Sequence, residues 1–531
     1  MISLTLVAIA GSVHLPQPIS GDAALYQLGA IAMSQGDVLY RDFWDLKKPG
    51  IYLFHLAAGE LFGHDEFGLH LFELIYLLGL SALLLVALRD VFRTKVLRWM
   101  APLATVGAYY VVSSDFHLTQ PAILVSLPVF LTGWMAMKSG EGLLRRWLWS
   151  AGAGMAGACA LLFKDSLVPL VLTLLVAGPF LAGDRTPLRR IGLSLGILAA
   201  SLGFVLLWMG LHGAGEEFLW TVFQYPSQAM ALHQVRPLYR LRDSLTWFAQ
   251  HFWPFGLAVL LVPLGWQGLR REREFTMCAL WLGVGFVCIV LEPFAWWQFD
   301  MLLLTVPLGL LALRGIDGLI EFLAGHQEWS FPNRLAFVAA AVSLLVLPAV
   351  GDWSEKAGTL TTWSSSTGGA LGLQLRVSPR YREIWTSTRF LDAADALPGP
   401  IYVFGDPLVL RIAGRESAGR VNGWGWEIFL PEQWVEIERE FRAAPPSYIF
   451  IDHEYQALVV ERAPSLLPWL AETYVVQSED SLGTWHRRAT SEDPGCPAGP
   501  AAPPDGLDSP AGRALDSSSL CVPRGNNSVV E

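Results

Sequence analysis

The chain has 531 residues, 53% of them hydrophobic and only 16% charged, with 22 tryptophans. Soluble domains carry about 25% charged residues, so water alone is excluded as its solvent. The net charge of −10 comes from acidic residues in the C-terminal third and in short loops, which sets nucleic acid aside as a partner.

A bilayer core takes ~20 apolar residues per helix. In chain order, such runs lie at 1–15, 67–88, 99–113, 119–137, 147–163, 167–181, 191–211, 248–266, 275–291, 301–320 and 335–350, which predicts about eleven membrane helices. The first run is short and has no basic lead, so it reads as a truncated start rather than a cleaved leader. Arg89, Arg93, Lys95 and Arg98, then Lys138, Arg145 and Arg146, then Arg185, Arg189 and Arg190, then Arg270, Arg271 and Arg273 fall in alternate short loops. Such loops face the cytoplasm. The loop at 20–66, the segment 212–247, the turn at 292–300 and everything past 351 then lie outside.

Beyond residue 352 the chain is a different material. Short β-like runs at Ile401–Phe404 and Tyr448–Ile451 alternate with helical stretches such as Trp434–Ala443, predicting a small extracytoplasmic α/β domain over 352–489. The tail, 490–531, is rich in Pro, Gly and Ser and is expected to be disordered. The predicted organisation is therefore a mainly α polytopic membrane domain (1–351) followed by that domain and tail. Cys159, Cys278 and Cys288 sit in apolar runs, and Cys496 and Cys521 sit in the tail. No spacing among them forms a metal cage, and a Cys496–Cys521 disulfide stays open for an oxidising compartment.

The external loop at 20–66 carries the most chemistry. It sets Asp22, Asp37, Asp42, Asp45, Lys47 and Lys48 among aromatics at the membrane surface, where charges interact more strongly than in bulk water. Two readings fit these residues: a juxtamembrane helix pair with an aromatic belt, or a site. Asp22 caps the helix that follows, or acts as a carboxylate base. Lys164, between two apolar runs, snorkels to the interface or holds an anion. The segment "YPSQAMALHQVRPLYRLRDSL" with His233, Arg236, Tyr239, Arg240 and Arg242 is an amphipathic surface helix or a closure over an anion. Glu292 reads as an interface anchor beside the aromatic turn.

The order Asp22, Tyr26, "QGDVLY" and "WDLKKPGIY" entering a helix resembles the first external loop of the C-type glycosyltransferases. The likeness is to the branch holding protein O-mannosyltransferases and lipid A aminoarabinose transferases. That branch has a second acidic residue and Lys-Pro-Pro where this chain has Gly-Asp-Ala and Lys-Pro-Gly. Similarity continues in "LLFKDSLVPLVL", which places Lys164 at the outer face. It continues also in "SSDFHLTQPAILVSLPVFL", with Gln120 at an acidic position and Asp115 nearby, and in "WWQFDMLLLTVPLGLLAL", which brings in Gln298.

The resemblance implies an inverting transfer of sugar from a polyprenyl-phosphate donor, in contact with membrane lipid, to an extracytoplasmic protein, lipid or glycan acceptor. The implied location is the bacterial inner membrane. It implies Asp22 as catalytic carboxylate and Lys48, Lys164, Arg236 and Arg240 as donor-phosphate ligands. Tyr26, Asp45, Lys47, Asp115, Gln120, His233, Tyr239 and Gln298 are further substrate-site candidates. The resemblance fixes no cofactor, and a divalent metal is allowed but disfavoured, since Asp22 has no matched second carboxylate. A transporter or lipid-linked-sugar flippase is the competing reading. Against it stand the absence of paired broken-helix repeats and the placement of polar residues in external loops. A third reading is a sensor whose soluble domain binds a ligand at "YVFGDP".

Overall fold

The computed structural model describes residues 2–138, 143–232, 238–269, 272–292, 296–325, 353–354, 356–358, 361, 369–425 and 428–490. The expected span at 335–350, the tail beyond 490, and His233 and Arg236 lie outside the described residues. The chain divides into two compact units at Arg382 and Glu383.

The first unit is helical. Its early helices are α1 (Ile2–Ser12), α2 (Gly21–Ser34), α3 (Pro49–Phe62), α4 (Glu66–Ala87), α5 (Lys95–Pro102), α6 (Ala108–Val112), α7 (Pro121–Leu124) and α8 (Ser126–Met137). They are followed by α9 (Leu143–Phe163), α10 (Val168–Leu181), α11 (Pro187–Leu211), α12 (Gly215–Leu219), α13 (Tyr225–Leu232), α14 (Leu238–Val259), α15 (Arg273–Leu291) and α16 (Thr305–Gly325). Local chemistry sets several starts. Asp65 accepts the Gly68 N–H at 2.7 Å ahead of α4, and prolines open α3, α7, α10 and α11, where a missing N–H costs nothing.

Among the described residues, five helices are long and apolar enough to cross a membrane: Glu66–Ala87, Pro187–Leu211, Leu238–Gly265, Arg273–Leu291 and Gln298–Ala324. Shorter apolar helices run at Ile2–Ser12, Pro121–Met137 and Asp165–Leu181. The expected count of eleven is thus not reached by full-length helices. A π-turn at Leu103–Gly107 interrupts the run at 99–113, and Arg145 and Arg146 enter the start of α9. Pro187–Leu211 shows an exposed apolar surface suited to lipid, whereas the apolar stretch within Gln298–Ala324 is buried inside the bundle.

The helices place the arginine-bearing loops at one end. Buried Arg314 of α16 pairs with Glu272 at 2.9 Å and donates to the Gly265 carbonyl, Arg93 pairs with Glu321 at 2.9 Å, and Arg190 pairs with Asp184 at 3.1 Å. From there α15 rises over its 19 residues, about 28 Å at ~1.5 Å per residue, to Glu292 at the other end. The C-terminal end of α9 arrives beside α3. A Cβ on Gly50 would stand 2.6 Å from the Leu162 carbonyl oxygen and 2.8 Å from the Phe163 nitrogen, so the absence of a side chain lets the two backbones touch.

The second unit holds a four-stranded sheet in the order β1-β2-β4-β3. β1 (Ile401–Phe404) runs parallel to β2 (Tyr448–Asp452), with Ile401 opposite Tyr448. β4 (Gly483–Arg488) is antiparallel to β2 and to β3 (Tyr474–Glu479). The helix Pro431–Ala443 puts Trp434, Ile437 and Phe441 on one face. Trp434 stacks on Phe404 at 6.1 Å and Phe441 meets Tyr402 at 4.8 Å. Within the 352–489 span where an α/β domain was expected, the described residues thus form a small sheet packed with helices, in a unit that begins at Glu383. The aspartates at its strand ends act as helix caps, Asp406 accepting from Leu408 and Asp452 from Glu454.

Candidate active site

The sequence between α2 and α3 folds back on itself and is pinned at several points. Tyr40, at φ 72°, donates to the Lys47 carbonyl at 2.8 Å. Trp44 is fully buried and its indole N–H donates to Thr221 at 3.0 Å. Buried Asp45 accepts from the Tyr52 hydroxyl at 2.6 Å and the Leu46 N–H at 2.7 Å. These bonds fix the backbone that carries Lys47 and Lys48 into the N-terminus of α3.

Asp22 is the second residue of α2, not its cap; Ser20 takes the cap position. Its carboxylate accepts from Tyr26 one turn on, at 3.3 Å, and pairs with Lys47 at 3.4 Å. Burial opposes the charge on Lys47. The surrounding carboxylates of Asp22, Asp45, Asp300 and Glu292 outweigh it and hold the ammonium above the ordinary lysine pKa.

Lys48 pairs with Asp165 at 3.1 Å, its side chain 10% exposed and that of Asp165 42%. Lys164 is tied more deeply, to Glu292 at 2.8 Å and Asp300 at 2.7 Å. The other Asp300 oxygen accepts the backbone N–H groups of Trp296 at 3.1 Å and Trp297 at 3.0 Å. Lys164 is therefore not snorkelling but bridged by two carboxylates, and Glu292 is its partner rather than an interface anchor. Burial pushes the Asp45 and Glu292 carboxyls up from their usual range.

A second tier adjoins the first through the 296–300 turn. Arg240 lies over the Trp297 ring at 4.3 Å, with exposed Tyr239 beside it. Phe116 packs against Trp297 and Phe299, and His117 stacks on Trp247 at 4.6 Å. Asp115, whose carboxyl burial pushes up, precedes them. Gln120 is buried and reaches back to the Phe116 carbonyl at 3.4 Å. Gln298 is half-buried at the start of the turn. Tyr40, Thr119 and Trp296, the non-glycine residues with positive φ among the described residues, lie in these loops. Such backbone costs ~1–3 kcal/mol per residue, and it clusters where geometry is constrained by function.

Asp22, Tyr26, Asp45, Lys47, Lys48 and Lys164 thus converge, with Arg240 and Gln298 on the flank. Asp165 and Asp300 were not singled out in the sequence, though each is an acidic residue at the mouth of an apolar helix, which is the signal that reveals them. Glu73 was also not singled out; it lies inside α4 and accepts from Tyr109 at 2.5 Å and from the Thr119 N–H at 3.2 Å. Among the described residues no three His, Cys, Asp or Glu side chains are placed to hold a metal ion. Lysine ammonium groups already bridge or pair the carboxylates of the cluster.

The chain superposes on the ArnT protein of Cupriavidus metallidurans bound to undecaprenyl phosphate. The TM-score is 0.60 at 14% identity, over 94% of this chain and 98% of that one. The chain therefore shares the fold of that protein. The apo form of the same ArnT matches at TM-score 0.56 and 16% identity, over 94% and 98% of the two chains. The oligosaccharyltransferase AglB of Archaeoglobus fulgidus, with an inhibitory peptide and a dolichol-phosphate, is more distant. It matches at TM-score 0.45 and 12% identity over 93% and 75% of the two chains. No family profile and no curated protein matches the sequence. With five helices long and apolar enough to cross a membrane among its described residues, the chain is a polytopic membrane protein.

Proposed function

We propose that the protein is a membrane glycosyltransferase that moves a sugar from a polyprenyl-phosphate donor to an acceptor outside the cytoplasm, inverting the anomeric centre. The observation that carries this reading is the gathering of Asp22 with Lys47, Lys48 and Lys164 at the end of the bundle away from the arginine loops. The fold supports it, since the ArnT structure it resembles holds undecaprenyl phosphate. In the proposed reaction an acceptor oxygen bonds to the anomeric carbon, the carbon–oxygen bond to phosphate breaks, and the lipid phosphate leaves. Asp22 takes the acceptor's proton, and one base suffices for a single displacement. Lys48 and Lys164 stabilise the phosphate, with Arg240 and Arg236 as further cations. The site and the α/β unit then lie on the extracytoplasmic side of the bacterial inner membrane.

The test is transfer of labelled sugar from polyprenyl-phosphate sugars by the purified chain. Asp22→Asn is expected to lower turnover by roughly 10²-fold or more with donor binding little changed. Full activity in that variant removes the base role. Movement of substrate across vesicles, with no transfer from any donor, supports the transporter instead.

A further inference from the structure

The three lysines of the site differ in how firmly they are held. Lys164 bridges Glu292 and Asp300, whose side chains are 22% and 4% exposed, and Lys47 faces Asp22, 16% exposed. The partner of Lys48, Asp165, is the most exposed of these carboxylates, at 42%. Asp165 also stands in the short 3₁₀ turn Asp165–Leu167, next to Lys164, so both residues of one dipeptide serve the cluster. An arriving phosphate meets Asp22, Asp45, Asp165, Glu292 and Asp300 around these ammonium groups. It competes with those carboxylates for the ammonium groups, and the most exposed carboxylate regains its water at the least cost.

We infer that Asp165 is an exchangeable counter-ion, which holds Lys48 when the site is empty, yields it to the lipid phosphate, and returns to expel the product phosphate. It is thus an affinity-setting residue and never touches the sugar. This rests on the donor reading above and deepens it. Two consequences follow from competition for one ammonium. Without the carboxylate, lipid phosphate binds tighter, because its displacement no longer opposes binding. The same change slows turnover, because product leaves less readily.

The experiment uses the full chain in detergent with geranyl phosphate, a short soluble polyprenyl phosphate, as probe, and needs no sugar transfer. Asp165→Asn and Asp165→Ala are expected to bind it at least about 5-fold tighter than the parent, a change of roughly 1 kcal/mol. Asp165→Glu should stay near the parent. The gain should vanish in a Lys48→Ala background, because the two residues act through one contact. Equal or weaker binding by the Asn and Ala variants, with unfolding temperature preserved, overturns the counter-ion role. So does an undiminished gain in the Lys48→Ala background. A parent that binds no geranyl phosphate removes the donor reading itself, which separates the two failures. In transfer assays, inhibition by added geranyl phosphate should deepen in Asp165→Asn, which a merely structural role for Asp165 would not produce.

Discussion

Removing Asp300 tests whether the ionic cluster is built as described. Its carboxylate is 3% exposed and serves two masters: one oxygen pairs with Lys164 at 2.7 Å, the other accepts the N–H groups of Trp296 and Trp297. Asp300→Asn retains an oxygen for the two peptide groups and removes the charge, so it isolates the ion pair. Breaking a buried pair costs about 3–5 kcal/mol, and because Glu292 still holds Lys164 at 2.8 Å the lower end, about 3 kcal/mol, applies. Lys164→Gln leaves two buried carboxylates facing each other and should cost as much. In Lys164→Gln/Asp300→Asn the two amides replace the pair, so the double variant should recover about 2 kcal/mol relative to the sum of the singles. The assay is denaturant unfolding in one fixed detergent, read as a double-mutant cycle. Additivity within about 0.5 kcal/mol would refute the coupling and with it the account of Lys164 as a bridged cation.

The remaining expectations are simpler. Burial raises the Asp45 pKa, so its stability contribution is full below about pH 4, the ordinary aspartate value, and is lost as pH rises through the folded pKa. Asp45→Asn should therefore gain on the parent in unfolding temperature between pH 5 and pH 8, and a constant difference would count against it. Trp44→Phe removes the bond to Thr221 and leaves a buried hydroxyl, costing about 1–3 kcal/mol in unfolding. Trp44→Phe/Thr221→Val should recover most of that loss. Finally, a reporter inserted in the 182–186 loop should read as cytoplasmic and one fused after Arg488 as external. Both on the same side would overturn the orientation.

Charged residues stranded between apolar runs are conspicuous, which is why Asp22, Lys47, Lys48 and Lys164 could be picked out from the chain alone. Two of the four strands of the small domain were legible, because β-branched and aromatic runs bounded by turns announce strands, whereas β3 and β4, with Gln, Ser, Glu, His and Arg among their residues, were not read. What the chain did not reveal is who faces whom. Asp300 lies 136 residues beyond Lys164, and no spacing rule connects a residue ending α9 with one preceding α16. Asp22 was open between cap and site for a related reason. Helix starts are uncertain by a residue or two, and here Ser20 takes the cap and frees the carboxylate to turn toward Lys47. Glu292 was discounted since a lone glutamate near tryptophans suits an interface, and only its distance to Lys164 shows otherwise.

Gly50 sets a mechanical tolerance on this arrangement. Lys48 sits two residues before it and Lys164 one residue after Phe163, so the contact between the Gly50 and Leu162 backbones acts as the stop that spaces the two cations. Any side chain there would act as a shim. Alanine would need more than half an ångström of retreat to reach ordinary contact, and a bulkier residue would need more. A larger residue at this position would push the end of α9 away from α3 and widen the spacing between Lys48 and Lys164.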